Sequence, residues 1–430
     1  MTDTATPAPA PQDAFRRIVR NAASILLGDA AGEVFAGYAI LLAATSLGPA
    51  GFGRLSEAQA FMDPFDALAG LGLGSVAITV AAQRGACDGK LRGTVWGIRT
   101  VSAVVAGAIG LAAAFATGRG GLWQLLVLIA IGMLFNPLSM VSLLPFQFNQ
   151  TIHRRIALPA LVGIVRLGAA YGAVWLLNQP LGFQAAGLAA GVVAALLNAW
   201  WSRRIYPERL QLDGELARAL LRLGWPAAAL EFIVAIYTRA SYFFLHDAGP
   251  VVQGEYAAAD RLMKPLLAIA GALVASSLPT VAGMAARRDF VRLRDTYRRS
   301  VLRVSLGCLA LCSVAWVLAA WLLNRFAPEY RQAIWPFRVL SVGTVFMFLN
   351  MLSSTYILAL GRFRTIMNVA ACNLIVYLVL AKVLIPHYGA IGAALSTSLM
   401  EAVNTIIQLW VVSRLLEHAS RSPRPSVDSQ

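Results

Sequence analysis

Along the chain, apolar stretches of about 20 or more positions alternate with short polar gaps, and the pattern repeats twelve times. The stretches occupy 21–46, 55–83, 93–117, 121–147, 156–178, 183–202, 218–245, 254–284, 301–324, 332–359, 364–385 and 389–414. A hydrocarbon core of about 30 Å takes roughly 20 helical residues, so each stretch is read as one membrane-spanning helix. The polar gaps carry an independent pattern. Arg16, Arg17 and Arg20 precede the first span, and Arg84, Lys90 and Arg92 follow the second. Arg154 and Arg155, then Arg203, Arg204, Arg209 and Arg218, then Arg287, Arg288, Arg292, Arg294, Arg298 and Arg299 fill the next even-numbered gaps. Arg362 and Arg364 fill the tenth, and Arg414, Arg421 and Arg424 follow the last span. The odd-numbered gaps hold only Arg54, Arg119, Arg325 and Arg331. Basic residues collect on the cytoplasmic side of membrane helices, so the alternation predicts both termini there. One missed or invented helix would break it.

Composition agrees. Of 430 residues, 58% are hydrophobic and 13% charged, against about 25% charged in a soluble domain. The net charge of +15 falls in clusters between apolar runs, which fits a membrane surface and gives no reason to invoke nucleic acid. Residues 1–15 and 417–430 are Pro-, Ala- and Ser-rich and read as disordered cytoplasmic tails, the first without the apolar core of a signal peptide. The four cysteines form neither a disulfide framework nor a metal cluster, and Cys308 and Cys312 read as small packing residues.

The longest charged linker, 206–217, separates a six-helix bundle at 16–205 from another at 218–416. Residues 48–64 read GPAGFGRLSEAQAFMDP and residues 249–265 read GPVVQGEYAAADRLMKP. At one offset Gly48, Pro49, Gly53, Ala58, Met62 and Pro64 recur as Gly249, Pro250, Gly254, Ala259, Met263 and Pro265. This is read as a duplication. The expected fold is an all-α polytopic membrane protein of about twelve transmembrane helices, in two six-helix bundles related by a pseudo-two-fold axis along the membrane normal. The natural site in such a repeat lies at mid-membrane.

Ionisable residues inside spans are costly, about 2.5–3.5 kcal/mol each on insertion scales, and mark pathways or inter-helix pairs. Asp29 and Glu33 lie in the first span, Asp63 and Asp66 in the second, Arg166 in the fifth, and Glu231 and Arg239 in the seventh. Asp260, Arg261 and Lys264 lie in the eighth, Arg338 in the tenth, Lys382 in the eleventh and Glu401 in the twelfth. Arg239, Arg338 and Lys382 sit toward the outer ends, where snorkelling to the headgroups is an equal reading. Asp63 and Lys264 occupy equivalent repeat positions, each followed by proline. Arg261 and Lys264 are three apart on one helix face, and a guanidinium beside an ammonium suits a phosphate or diphosphate. Arg166 and Arg239 are further candidates for that anion. The acidic residues Asp29, Glu33, Asp63, Asp66, Glu231, Asp260 and Glu401 are candidates for lining a cavity or coupling H+ or Na+. The alternative is static pairing, such as Asp63 with Lys264 or Asp260 with Arg261.

No nucleotide-binding loop, hydrolase motif or metal-ligand spacing occurs, so neither an enzyme nor a cofactor is expected. His153, His246, His387 and His418 read as solvated residues at helix ends. The stretch ARRDFVRLRDTYRRSVLR reads as an amphipathic anchor on the inner leaflet.

RNAASILLG, TSLGPAGFGRLSEAQAF and AGLGLGSVAI in the first half resemble the polysaccharide-type flippases of the multidrug/oligosaccharidyl-lipid/polysaccharide exporter superfamily. LLRLGWPAAA, GEYAAADRLMKPL, ASSLPTVA, FAPEYRQA, ALGRFR and YGAIGAALST are similar in the second, so the likeness runs from about residue 16 to 415. It rests on many weak matches and no single signature. It implies two six-helix bundles around a cavity of alternating access. It also implies export of polyprenyl-diphosphate-linked oligosaccharides across a bacterial inner membrane, with a polymerase and glycosyltransferases as partners. One departure stands out: members often carry an acidic residue soon after the basic one in the seventh span, where this chain has Ser241. Glu231 is the candidate substitute. Two other readings remain open: a cation-coupled exporter of small drugs, and a membrane subunit without transport of its own.

Overall fold

The structure is a computed structural model that describes residues 11–149, 151 and 157–421. The side chains of 11–31, 33, 268–270, 272–280, 322, 326 and 419–421 lie outside that description, and Asp29 and Glu33 are among them. The helices are α1 Pro11–Gly70, α2 Leu73–Arg84, α3 Gly89–Ala116, α4 Trp123–Met133, α5 Asn136–Phe148, α6 Ala157–Leu176 and α7 Pro180–Ile205. They continue as α8 Gly214–Phe244, α9 Pro250–Ala286, α10 Phe290–Phe326, α11 Ile334–Ala359 and α12 Phe363–Arg421. Helix α1 begins at Pro11 and α12 ends at Arg421, so both reach into the stretches expected to be tails. Residues 1–10 and 422–430 lie outside the described residues.

A straight helix of 60 residues, the length of α1, would measure about 90 Å, three times a bilayer core. Glycines resolve the excess. Gly48 takes φ 64, ψ 178 inside α1, and Gly389 takes φ 53, ψ −126 inside α12. A positive φ is strained for any residue with a Cβ. Past Gly389 the chain doubles back, and Gly392 lies against the carbonyl of Leu384. Each long helix therefore contributes two passes. A second break, at Leu71–Gly72 (φ 50 and 60), joins α1 to α2 within one pass. Another, between Met133 and Asn136, joins α4 to α5. Nine helical stretches among the described residues are apolar and long enough to cross a membrane. Two of them are double passes, and α9, with 37 residues, is long enough for a twelfth.

Two compact units are present. Unit 1 comprises the described residues up to Leu47 together with Met62–Phe232. Unit 2 comprises Gly48–Phe61 and the described residues from Ile233 onward. The units therefore do not divide at 206–217. The start of α8 belongs to unit 1 because Gly72 packs against Ala227 and Ala228, Gly224 against the carbonyl of Leu71, and Leu220 into a core with Leu73 and Leu91. Residues 206–213 are a strap across α3. Arg92 donates to the Tyr206 carbonyl and to Ser202 Oγ, and the Asp213 amide donates to Thr94 Oγ1 at 3.0 Å. Gly89 and Gly93 have no Cβ to keep the strap off. Asp213 caps α8 through the amides of Leu216 and Glu215, which hold its carboxyl below the ordinary carboxylate range.

Within unit 2 the repeated motif makes one contact twice. Gly48 and Gly249 both have positive φ, each followed by a proline in the first turn of the next helix. Gly53 then lies against the carbonyl of Pro250, and Gly254 against the carbonyl of Pro49. A Cβ on either glycine would overlap that oxygen. Around the crossing Phe52 meets Tyr330 edge-on, and Phe61 meets Phe243 at 5.4 Å.

The segment expected to lie on the inner leaflet is instead the first third of α10, which continues unbroken for 37 residues, about 55 Å. Leu293 and Tyr297 anchor it in a core with Leu352, Tyr356, Val412 and Leu416, while Arg292, Arg298, Arg299 and Arg303 stay exposed. Tight tertiary packing of the apolar stripe outweighs the pull of the interface. Cys308 is buried against Phe348, a packing position as expected.

Candidate functional site

Unit 1 holds a polar layer midway along its helices. Asp66 lies one turn before the break at Leu71, and Asn136 Nδ2, from the first turn of α5, donates to its Oδ1 at 3.0 Å. Arg99, ten residues into α3, is in electrostatic reach of both Asp66 and Glu231. Gly70 locates the meeting point: a Cβ there would stand 3.5 Å from Glu231 Oε2 and 3.7 Å from Arg99 Nη2. Two carboxylates thus share one guanidinium. The buried Arg99 Nε has no hydrogen-bond partner among the described residues. Glu231 is exposed midway along α8, Asp63 is half-buried, and Arg166 is exposed on α6.

Unit 2 gathers opposite charges differently. Arg239 pairs with Asp260 at 3.6 Å, and Tyr242 donates to the same carboxylate oxygen at 3.4 Å. Arg239, expected to bind an anionic ligand, thus already has an anion beside it, and Asp260 answers Arg239, not Arg261. Arg261 donates to Gln59 Oε1 at 2.8 Å, a neutral partner that leaves the guanidinium charge uncancelled. Lys264 is half-buried nearly one turn further along α9. Ser241, the departure noted in the seventh span, is buried, with its hydroxyl bonded to those of Tyr256 and Tyr377.

Glu401 does not line an open cavity as expected. Its side chain is 4% exposed. Asn350 Nδ2 donates to its Oε2 at 2.6 Å, and Asn404 adds a longer bond at 3.4 Å. The polar chain continues toward the C-terminal end of α12: Thr405 donates to Asn350 Oδ1, Gln408 to Asn404 Oδ1 and Ser354 to Gln408 Oε1. Residues 401, 404, 405 and 408 recur at helical spacing on one face of α12, so the network follows from periodicity. Among the described residues Glu401 has no ion pair. A carboxyl held by neutral amides in an apolar bundle can bind a proton or a small cation.

Two residues were misjudged or passed over in the sequence. His246 is no solvated surface histidine: its Nδ1 meets Oε1 of the buried Glu57, whose side chain is 6% exposed. Arg99 was absent from the candidates although its position in the third span was visible. Among the described residues no three His, Cys, Asp or Glu gather as a metal site.

The described residues form helices in two units, with charges placed inside membrane-length helices, which is the architecture of a multi-pass membrane protein. Its fold is shared with solved members of the MOP superfamily. One is an inward-facing multidrug resistance MATE family transporter, TM-score 0.76 at 16% identity, covering 95% of this chain and 100% of that one. Another is an outward-facing MATE transporter at 0.67 and 17%, covering 95% and 97%. A third is a MOP superfamily transporter from Pyrococcus furiosus, described by the reverse polarity of its binding pocket, at 0.66 and 15%, covering 95% and 97%. Residues 18–285, well over half the chain, match the family model described as "Polysaccharide biosynthesis protein". The chain belongs to that family. Over 131 residues it is 26% identical to the "Putative O-antigen transporter" of Shigella flexneri, covering 30% of this chain and 31% of that one. Over 93 residues it is 30% identical to an uncharacterised membrane protein of Methanocaldococcus jannaschii, covering 22% and 18%. The matches thus span less than a third of either relative's length.

Proposed function

We propose that the protein is a flippase. It moves a polyprenyl-diphosphate-linked oligosaccharide from the cytoplasmic to the periplasmic leaflet of a bacterial inner membrane by alternating access, with both its termini in the cytoplasm. The observation that carries this reading is Arg261, a guanidinium inside a membrane-spanning helix whose hydrogen bond goes to the neutral Gln59 Oε1, while the neighbouring Asp260 engages Arg239. A diphosphate supplies the missing negative charge, with Arg261 offering a fork and Lys264 a point charge. Membership of a polysaccharide biosynthesis family supports a saccharide-bearing lipid, and a polymerase and glycosyltransferases would then supply and consume it. H+ or Na+ binding at Glu401 would couple export to an ion gradient.

The test is genetic and chemical together. Lys264→Ala and Arg261→Ala should each abolish surface polysaccharide and leave the lipid-linked precursor on the inner leaflet, while the protein still inserts. Normal polysaccharide in both strains would sink the reading. A second reading, export of small cationic drugs, is favoured by the carboxylate excess at Asp66 and Glu231 and by the multidrug transporters that share the fold. Changed drug susceptibility in the Asp66→Asn strain, with unchanged polysaccharide, would select it.

A further inference from the structure

The outer end of α11 carries a cation that the transport reading does not use. Arg338 is the fifth residue of α11, and its guanidinium lies over two indole rings from two different helices. Trp335 of α11 is 5.1 Å away and Trp316 of α10 is 5.7 Å away, centroid to guanidinium carbon. Both fall inside the range of about 6 Å where a ring face attracts a cation. Among the described residues Arg338 makes no hydrogen bond or ion pair, and its buried Nε is without an acceptor. The rings themselves are open, Trp335 at 56% and Trp316 at 40% exposure, and Val317 and Val342 beside them are open too. Such a face in a membrane-spanning helix meets acyl chains and, at its edge, headgroups.

Two comparisons separate this arrangement from ordinary anchoring. Arg204 over Trp200 and Arg414 over Trp410, at 5.6 and 5.9 Å, are neighbours four apart on a single helix. They sit at the arginine-rich inner end, where positive charge is expected. Arg338 stands at the opposite end, where the connections hold few basic residues, and only the tertiary packing of α10 on α11 brings its second ring. The aromatic pair flanks the guanidinium, whose five N–H donors meet no protein oxygen among the described residues. From Ile334 to Arg338 is about 6 Å along the helix, within reach of lipid phosphates for a snorkelling arginine.

We propose that Arg338, braced by Trp316 and Trp335, is a binding site for the phosphate oxyanion of a lipid headgroup in the outer leaflet. The fork donates two N–H bonds to two phosphate oxygens, and the indoles line the glycerol and upper acyl region. Free inorganic phosphate offers the same oxyanion, so the experiment must tell the two apart. Native mass spectrometry of the full-length protein, loaded with phosphatidylglycerol, reads bound lipid directly and needs no transport activity. Arg338→Ala should lower the retained phosphatidylglycerol about tenfold, the loss of one charge-assisted contact. Arg338→Lys should fall between, because it keeps charge and loses the fork. Trp316→Leu should also weaken retention, and it carries the comparison if the alanine variant does not fold. Equal retention in wild type and both Arg338→Ala and Trp316→Leu would overturn the site. Displacement of the lipid by millimolar inorganic phosphate would overturn the lipid assignment in favour of free phosphate.

Discussion

Gly53 and Gly254 cross each other so that each rests on the proline carbonyl that stands four residues before the other. The same motif thus serves as both halves of one contact. Backbone approaches this close leave no room for side chains, so the repeated Gly-Pro-x-x-x-Gly of the two halves is explained by packing and needs no ligand.

Replacing either glycine should therefore be costly and nearly equal. Gly53→Leu and Gly254→Leu should each destabilise unit 2 by about 1–3 kcal/mol or prevent insertion, as overpacking does. Gly37→Ala and Gly187→Ala, where a Cβ meets nothing within 4 Å, should melt like wild type. Thermal melts in detergent decide it, and unequal losses at the two crossing glycines would contradict the reciprocity.

Among the described residues, Arg99 is the cation in electrostatic reach of both Asp66 and Glu231. Arg99→Ala should cost about 3 kcal/mol, the penalty for stranding a partly buried charge. Adding Glu231→Gln should recover part of that loss, and Asp66→Asn alone should cost less, since Asn136 can still donate to an amide oxygen. An additive double mutant would show that the two groups do not interact.

The pair of Arg239 with Asp260 is about a quarter exposed on each side. Screening by water and lipid headgroups limits such a pair, so a double-mutant cycle with Arg239→Gln and Asp260→Asn should give a coupling of about 0.5–1 kcal/mol. A coupling of zero would return Arg239 to the candidates for holding an anionic ligand.

At Glu401, shape and charge can be separated. Glu401→Gln keeps an oxygen for Asn350 Nδ2 and should melt within about 0.5 kcal/mol of wild type. Glu401→Ala orphans that amide in the bundle and should cost about 1–3 kcal/mol. If Glu401 couples transport, the glutamine variant should also lose its dependence on the H+ or Na+ gradient in a vesicle flipping assay. Retained dependence would remove Glu401 from that role.

Much of the fold was legible because two independent patterns, apolar length and loop charge, agreed on twelve crossings. The glycine turns at Gly48 and Gly249 could also be read from the repeated Gly-Pro. The exchange of Gly48–Phe61 and Gly214–Phe232 between units could not. Hydropathy says that a helix is buried in lipid or protein and is silent on which neighbour it meets. The same silence hid the pairs. Arg239 and Asp260 are 21 residues apart and Glu57 and His246 are 189 apart, so only the tertiary fold could join them. Arg99 was overlooked because it follows the basic inner gap closely and merged with it. Glu401 was legible as an ionisable residue inside a span, but its amide partners carry no charge and gave no signal.

The reciprocal glycine crossing has one further consequence, for ancestry. A contact in which residue i meets j and j meets i is what two identical subunits form about a two-fold axis. A six-helix chain bearing a single Gly-Pro-x-x-x-Gly motif would already possess both faces of this joint. On this geometry, fusing two such copies would need only a tether between them. Later divergence, with Asp63 in one half and Lys264 in the other, was free to break the symmetry of charge while the symmetry of backbone stayed.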